Sequence, residues 1–550
     1  MLIYRFFLGG MVNQMQTTSA SDERWSSRAA FILAAIGSAV GLGNLWRFPY
    51  VAGENGGGAF VLFYIICVVL IGLPVLIAEL FIGRRGRRSA VGSVVVIAKS
   101  EGRSSFWALQ SWLGMIGAFV ILTFYSVIAG WVMAYVVMIG GDLFASIGKD
   151  GLAGLGAGAF AGQSNEEISA KLGALLNDPG RMIFYHAIFM ILTVVIVGRG
   201  VKGGIETAVT VLMPAFFVLL IVLFGFALVE GDAGRGLDFL MGIRINELFE
   251  GVKDGSVVSA ALGQAFFSIG LGSALMASYG AYMTQDQDLP KSAGTIAIAD
   301  TAVGVIAGLA IFPIVFAMGL APGGGPTLMF QTLPLAFNQM PLGGLFGMAF
   351  FLLAFFAAIT SSIALLETST RWLDEQSEGN HRFKSAIILG IIIFVIGVAN
   401  ALSQVSATNE NGEVVRDLFF NTWRPWGGIT IFQGSDGSAM SLLDFLSATT
   451  DIVLPLSGFI ASIFAGWVVS SSTAREAIGF KSDAWFQRWR FLIRYVCPVG
   501  IAAVILYGII LAPWIASTNA RKACEAAQVE VQNGSTDEAL VALVATCAAE

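Results

Sequence analysis

Two apolar segments lying far apart in this chain are interrupted by the same three residues, Gly-Leu-Gly. One reads Ala39-Val40-Gly41-Leu42-Gly43-Asn44 and the other Ser268-Ile269-Gly270-Leu271-Gly272-Ser273. Each interruption falls in the middle of a stretch long enough to cross a bilayer. In hydrocarbon no water is available to satisfy a freed amide or carbonyl. A helix can therefore come undone there only where its backbone lines a cavity. A matched pair of such breaks points to a binding site near the membrane midplane, of the kind that solute transporters build from discontinuous helices.

The rest of the composition agrees with a membrane setting. The chain is 56% hydrophobic and 12% charged, with a mean hydropathy of +0.77, too apolar for a water-soluble domain to hide. The fold class is therefore an all-α polytopic membrane protein. A net charge of −6 gives no argument for a nucleic-acid partner. Of the four cysteines, Cys67 and Cys497 lie in apolar runs and read as packing residues, while Cys524 and Cys547 share the polar C-terminal tail. Two histidines, His186 and His381, offer no His-rich metal site. The short apolar runs Leu2-Ile3-Tyr4 and Phe6-Phe7-Leu8 lack a cleavage site, so residues 1–20 read as a disordered cytoplasmic leader, with Met11 or Met15 as alternative starts.

Spanning windows centre near Gly41, Leu70, Thr123, Leu192, Phe217, Ile269, Val305, Phe355, Ile393, Leu456 and Ile505, which makes eleven spans. The run Leu328–Phe337 is too short and is expected to be a re-entrant or capping segment. Arg84, Arg85, Arg87, Arg88, Lys99 and Arg103 follow the second span, and Arg475, Lys481, Arg488 and Arg490 follow the tenth. These mark the cytoplasmic side and put the N-terminus inside. An odd number of spans then leaves the C-terminal tail outside, together with the long loops 141–181 and 402–440, the latter carrying Trp423 and Trp426. In an oxidising outer compartment Cys524 and Cys547 could pair, near the amphipathic stretch Asp537–Thr546. Spans one to five and six to ten each begin with a broken segment. That fits an inverted 5+5 repeat with an eleventh helix appended. The expected divisions are a leader (1–24), a first repeat (25–230), a second repeat (231–471), the eleventh span with its preceding loop (472–516) and a tail (517–550).

Several residues carry chemistry within these spans. The outer half-helix after Gly41 and Gly43 presents a positive N-terminus suited to a carboxylate, and the carbonyls ending the inner half suit a cation. The competing reading is that both glycines only permit close helix packing. Asp300 is a carboxylate inside the seventh span, a costly placement that signals function. Thr360 and Ser361 are adjacent hydroxyls in an apolar span, able to serve as hard-cation ligands or to back-bond to the preceding turn.

The segments Trp25–Arg28, Gly37–Pro49 (Gly-Ser-Ala-Val-Gly-Leu-Gly-Asn-Leu-Trp-Arg-Phe-Pro) and Glu54–Phe60, with Gly263–Ser268 and Thr360-Ser361-Ser362, resemble the neurotransmitter:sodium symporter family, in its bacterial amino-acid branch. The resemblance covers essentially residues 22 to 470. It implies a leucine-transporter-like fold in a bacterial inner membrane and two bound sodium ions, with no organic cofactor. The first ion would be held by the Ala39 carbonyl, Asn44, Ser268, Asp300 and the substrate carboxylate. The second would be held by carbonyls of Gly37, Val40 and Ala357 with the hydroxyls of Thr360 and Ser361. Chloride-dependent relatives carry a neutral side chain where Asp300 stands. Tyr64, Gln264 and Ser268 match their anion site in part, and Gly304 replaces a serine, so transport is expected to be chloride-independent.

The same resemblance implies an outer gate of Arg47 and Asp444 above an aromatic lid of Tyr125 and Phe267. Asp451 is the competing partner, and the spacing to Trp467 favours Asp444. At the inner gate the family's basic residue is replaced by Asp22. Arg24, beside Trp25, is expected to substitute by reaching Asp374 or Glu375. Glu54 and Glu79 are expected to be structural hydrogen-bond hubs.

Amine-selective relatives carry an aspartate at position 41, so Gly41 implies a substrate that brings its own carboxylate, an amino acid. That carboxylate would meet Gly43, the Tyr125 hydroxyl and the first sodium ion. Ala39, Leu42, Ser268 and Ser361 would close around it, and Ile121, Phe267, Gly270, Ser273 and Leu365 would line the side-chain pocket. Gly270 and Ser273 replace larger residues of the leucine-transporter branch, which predicts a roomier cavity. A large hydrophobic or aromatic α-amino acid and an extended β- or γ-amino acid such as taurine or γ-aminobutyrate both remain open. A channel and a non-transporting sensor are the other readings of broken helices. No nucleophile, paired carboxylates or metal cluster supports an enzyme.

Overall fold

The computed structural model describes residues 23–242, 255–320, 322, 328–377, 381–405 and 441–508, the backbone of 407–408 and 414–415, and positions 524 and 528. Most of the leader, the stretch holding Trp423 and Trp426, the segment Asp537–Thr546 and Cys547 lie outside the described residues. Cys524 is disulfide-bonded, whereas Cys67 and Cys497 are buried free thiols.

The described chain is almost wholly helical. In order it forms α1 (Arg28–Ala39), α2 (Gly43–Glu54), α3 (Gly58–Gly86), α4 (Ala90–Ser100), α5 (Ser105–Gly156), α6 (Asn165–Leu176), α7 (Pro179–Gly198) and α8 (Val201–Glu230). There follow α9 (Ala233–Met241), α10 (Ser256–Ile269), α11 (Leu275–Gly280), α12 (Leu289–Ala317), α13 (Leu333–Gln339), α14 (Gly343–Gln376) and α15 (Arg382–Leu402). The last are α16 (Leu442–Val468), α17 (Ser471–Ile478) and α18 (Asp483–Leu506). Strands β1 (Ala407–Thr408) and β2 (Val414–Val415) pair antiparallel. Among the described residues nine helices are long and apolar enough to span a membrane, and α1 with α2 makes a tenth span bent by 50°. The window centred on Ile269 is filled by two shorter pieces, α10 and α11.

The expected loop 141–181 is largely helical. α5 runs on through it, and α6 opens with a capping box, Ser164 accepting from the Glu167 amide while Glu167 accepts from the Ser164 amide. The segment Leu328–Gln339 is a capping element, with Leu328, Met329, Phe330, Leu333 and Phe337 buried. Tyr135 donates to the Phe330 carbonyl at 2.7 Å and fixes it to α5.

Proline placement explains local irregularity. Pro74 cannot donate to the carbonyl four residues back, Leu70, and the chain takes a π-turn over Val68–Gly72 just before it. The Cys497 thiol reaches that freed carbonyl at 3.7 Å from α18. At the centre α1 packs against α8, α12 and α14, while α5 runs against α14 and α16. The two broken spans therefore face one another within the bundle rather than lipid.

A candidate cation and substrate site at two helix breaks

The α1–α2 break is held open by side chains that replace helical hydrogen bonds. The Gly41 amide donates to Asn44 Oδ1 at 3.2 Å, and the Leu42 amide to the Tyr125 hydroxyl at 3.3 Å. These amides lie at the break immediately before α2, with Leu42 at its N-cap, where backbone donors lack intrahelical partners. Glycine is required by close approach. A Cβ on Gly41 would sit 2.6 Å from Ser361 Oγ, and one on Gly43 would sit 2.9 Å from the Phe267 ring.

The α10–α11 break uses a different device. Gly270, Gly272 and Ala274 all have positive φ, at 70°, 74° and 60°. A Cβ on Gly272 would stand 2.1 Å from the Leu454 carbonyl. Glu79 Oε1 accepts from the Gly272 amide at 2.7 Å, so this buried carboxylate holds the freed backbone of the break. Glu54, in contrast, is exposed at the end of α2, where it borders the vestibule above Arg47.

Between the breaks lies a polar knot in which every side chain is buried. Asn44 Nδ2 donates to Asp300 Oδ1 at 2.9 Å and to Ser268 Oγ at 3.0 Å. Ser268 Oγ donates to the Asp300 carboxylate at 2.8 Å, and the Tyr64 hydroxyl donates to Asp300 Oδ2 at 3.1 Å. Gln264 Nε2 donates to the Gly43 carbonyl at 3.0 Å. Three expected ligands of the first ion, from α2, α10 and α12, thus converge. A Cβ on Gly304 would meet the Phe48 ring at 3.4 Å, so Phe48 backs α12 where the serine of chloride-dependent relatives was expected to be replaced.

The second cluster joins the end of α1 to α14. Ser361 Oγ stands 3.4 Å from the Gly37 and Ser38 carbonyls and 3.5 Å from that of Val40. Thr360 Oγ1 back-bonds to the Phe356 and Ala357 carbonyls at 3.0 and 3.1 Å, which leaves its lone pairs available.

Next to both clusters is a cavity of about 50 Å³. Ala39, Gly41, Gly43, Ile121, Tyr125, Phe267, Ser268, Gly270, Ser273, Ser361 and Leu365 all border it, and Leu42 touches the site through its amide. The expected roominess is absent. The Leu275 side chain lies 3.1 Å from where a Cβ on Gly270 would be, and Ser273 turns its hydroxyl onto the Gly270 carbonyl. Leu275 opens α11 and Leu454 comes from α16; with Ser38 they complete the lining. A helical count stops at the break, so Leu275 was not found; its place as the first apolar residue of the second half-helix is the signal that could have found it.

The expected outer gate needs correction. Arg47 Nη2 pairs with Asp451 at 3.4 Å, and the guanidinium lies 4.5 Å over the Phe267 ring, closing the cavity beneath a vestibule of about 460 Å³. Asp444 instead accepts from Ser441 Oγ at 2.7 Å in the first turn of α16, seven residues or about 10 Å away along the axis. The count back from Trp467 runs through a π-turn, Phe464–Val468, and loses helical register.

At the arginine-rich end Trp25 is buried and donates to the Tyr279 carbonyl at 3.2 Å. Arg382, at the start of α15, binds Glu23 at 2.9 Å and Glu367 at 2.5 Å, and reaches the Tyr282 hydroxyl at 3.4 Å. Glu375 is taken by Arg88 at 3.4 Å and by the Ser89 amide at 2.9 Å. Asp374 accepts from the His381 amide at 3.0 Å. Both carboxylates that Arg24 was expected to reach thus have partners of their own at this end. Arg382 escaped sequence reasoning because its partners come together only when α14, α15 and the segment before α1 are packed.

A helical membrane bundle in which two interrupted spans enclose a buried polar pocket has the build of a solute transporter. The chain belongs to the sodium:neurotransmitter symporter family, whose pattern matches residues 22–140 and 165–424. It is 33% identical over 486 residues to an uncharacterized sodium-dependent transporter, YhdH, of Bacillus subtilis (strain 168), covering 88% of this chain and 97% of that protein. It is 26% identical over 432 residues to the sodium- and chloride-dependent neutral and basic amino acid transporter B(0+) of Mus musculus, covering 68% and 66%. The crystal structure of MhsT in complex with L-phenylalanine superposes with a TM-score of 0.73 at 38% identity, covering 88% of this chain and 99% of that one. The chain is accordingly a sodium-dependent membrane transporter and not an enzyme.

Proposed function

We propose that this protein imports a neutral, apolar α-amino acid together with sodium by alternating access, without a need for chloride. The observation that carries the reading is the buried Asn44–Ser268–Asp300 cluster beside a cavity edged by the Gly43 backbone and Tyr125. Hard cations prefer oxygen ligands, and Asp300 supplies a fixed negative charge beside the first cation position. A substrate carboxylate at the α2 N-terminus would complete that ion's shell, so each ligand would strengthen the other's binding.

The second ion would sit among the carbonyls of Gly37, Val40 and Ala357 and the hydroxyls of Thr360 and Ser361. For a hard cation held by oxygens at about 2.4 Å, neighbouring ligands stand roughly 3.4 Å apart. The Ser361 separations of 3.4 and 3.5 Å fit that spacing. Asp300, ringed by Asn44, Ser268 and Tyr64, supports chloride independence, in contrast to the chloride-dependent mammalian relative.

Ile121, Phe267, Leu275, Leu365 and Leu454 make the side-chain wall apolar. With MhsT bound to L-phenylalanine, this favours a hydrophobic or aromatic side chain over an extended γ-amino acid. We further assign Arg47–Asp451 as the outer gate and Glu23–Arg382–Glu367 as the inner one. The arginine-rich end then faces the cytoplasm, in a bacterial inner membrane, with the 5+5 repeat and divisions set out above. Uptake of labelled L-phenylalanine into proteoliposomes tests this. An inward sodium gradient is expected to drive accumulation, and Asn44→Ala and Ser361→Ala to abolish it while the protein still inserts. Normal accumulation by either variant would overturn the site assignment.

A further inference from the structure

A groove of about 400 Å³ runs along the outside of the bundle at its arginine-rich end, remote from both cavities described above. Val69, Leu73 and Ile77, spaced one helical turn apart, form one apolar stripe of α3 along it, and Lys481, Trp485 and Arg488 stand at its mouth. Its size falls within the range of about 300–1,000 Å³ typical of small-molecule sites. We propose that this groove binds one anionic glycerophospholipid. Lys481 and Arg488 hold the phosphate, and an acyl chain lies along the α3 stripe.

Charge and position both favour this occupant. Arg488 has no carboxylate partner among the described residues, and its guanidinium lies 4.8 Å over the exposed Trp485 ring, a pairing suited to the headgroup layer. It sits about one and a half turns into the spanning helix α18, a depth from which an arginine reaches outward to a phosphate. Lys481 faces Asp288 at 3.6 Å but is 89% exposed. The other oxygen of Asp288 caps α12 by accepting from the Lys291 amide at 3.0 Å, so the carboxylate only partly neutralises the ammonium. The nearby Asp483 is engaged by Arg475 at 2.5 Å. Basic residues where helices meet the membrane surface are the usual mark of anionic-headgroup recognition.

The groove is also a built wall rather than a frayed edge. Its wall is fixed by Trp489, which donates to the Pro74 carbonyl at 3.1 Å, both residues lining the groove. A neutral or zwitterionic lipid would gain the apolar stripe but bring no net countercharge to Arg488 or to the partly neutralised Lys481.

Native mass spectrometry of the purified full-length protein, titrated with palmitoyl-oleoyl phosphatidylglycerol or the matching phosphatidylcholine, tests the proposal. One phosphatidylglycerol per chain is expected to be retained roughly tenfold better than phosphatidylcholine, about 1.4 kcal/mol. The double variant Lys481→Ser/Arg488→Gln should lose that preference while still binding phosphatidylcholine, which separates lost selectivity from a damaged groove. Leu73→Trp, which fills the groove without touching charge, should reduce retention of both lipids. Equal retention of the two lipids by the unaltered protein, or an undiminished preference in the double variant, would overturn it.

Discussion

Arg382 and Glu367 form a 2.5 Å ion pair in which the carboxylate is wholly buried and the guanidinium also grips Glu23. One cation at the head of α15 thereby ties α14, the segment before α1 and, through Tyr282, the chain after α11. Leaving a buried charge wholly unpaired costs about 3–5 kcal/mol; without the Glu367 charge Arg382 keeps the Glu23 carboxylate, so the cost falls below that range.

Glu367→Gln is therefore expected to lower the thermal midpoint and to raise hydrogen exchange across residues 23–39, the segment that must move if this end is to open. Exchange at the opposite end, around Ser441–Asp451, should stay unchanged. Unaltered exchange near Trp25 would show that the pair does not hold this end shut.

The two candidate carboxylates of the outer gate give opposite expectations. Asp451→Asn removes the Arg47 partner over the cavity and should speed substrate dissociation. Asp444→Asn touches only the capped first turn of α16, so it should cost about 1 kcal/mol of stability or less and leave dissociation unchanged. Rapid-dilution release of labelled substrate separates the two.

Legibility varied with how local the cause was. The breaks at Gly41–Gly43 and Gly270–Gly272 could be read because glycine, length and hydropathy are properties of one segment. Of the first cluster, only Asp300 stood out physically, as a carboxylate within a span; Asn44 and Ser268 were grouped with it by the resemblance to the symporter family, and the structure brings the three within hydrogen-bond reach. Gate partners were missed for a different reason. Asp444 and Asp451 differ by two turns of one helix, and only tilt and packing decide which one Arg47 meets. Cavity size was misjudged because Leu275, beyond the break, swings into space that Gly270 leaves.

Leu275 now becomes a handle on specificity. Leu275→Ala should enlarge the cavity and shift preference toward bulkier side chains, tryptophan gaining on leucine in competition for uptake. Truncating a buried leucine costs about 2–5 kcal/mol, so the comparison must be made below the variant's own melting range.

Gly272 tests the second break. With φ at 74° and the Leu454 carbonyl at 2.1 Å from a built Cβ, Gly272→Ala should sharply reduce folded yield. Gly102→Ala, also at positive φ but with nothing within 4 Å, should cost only about 1–3 kcal/mol of backbone strain. Comparable yields for the two would mean that α10, α11 and α16 do not pack as closely as the structure has them.

The most direct test is equilibrium binding of labelled L-phenylalanine to the purified protein as sodium is raised in gluconate buffer lacking chloride. Affinity is expected to climb with sodium in that buffer and to depend much less steeply on sodium in Asp300→Asn, which removes the charge at the first ion position and leaves the second. Binding indifferent to sodium, or binding that requires chloride to be restored, would contradict the account.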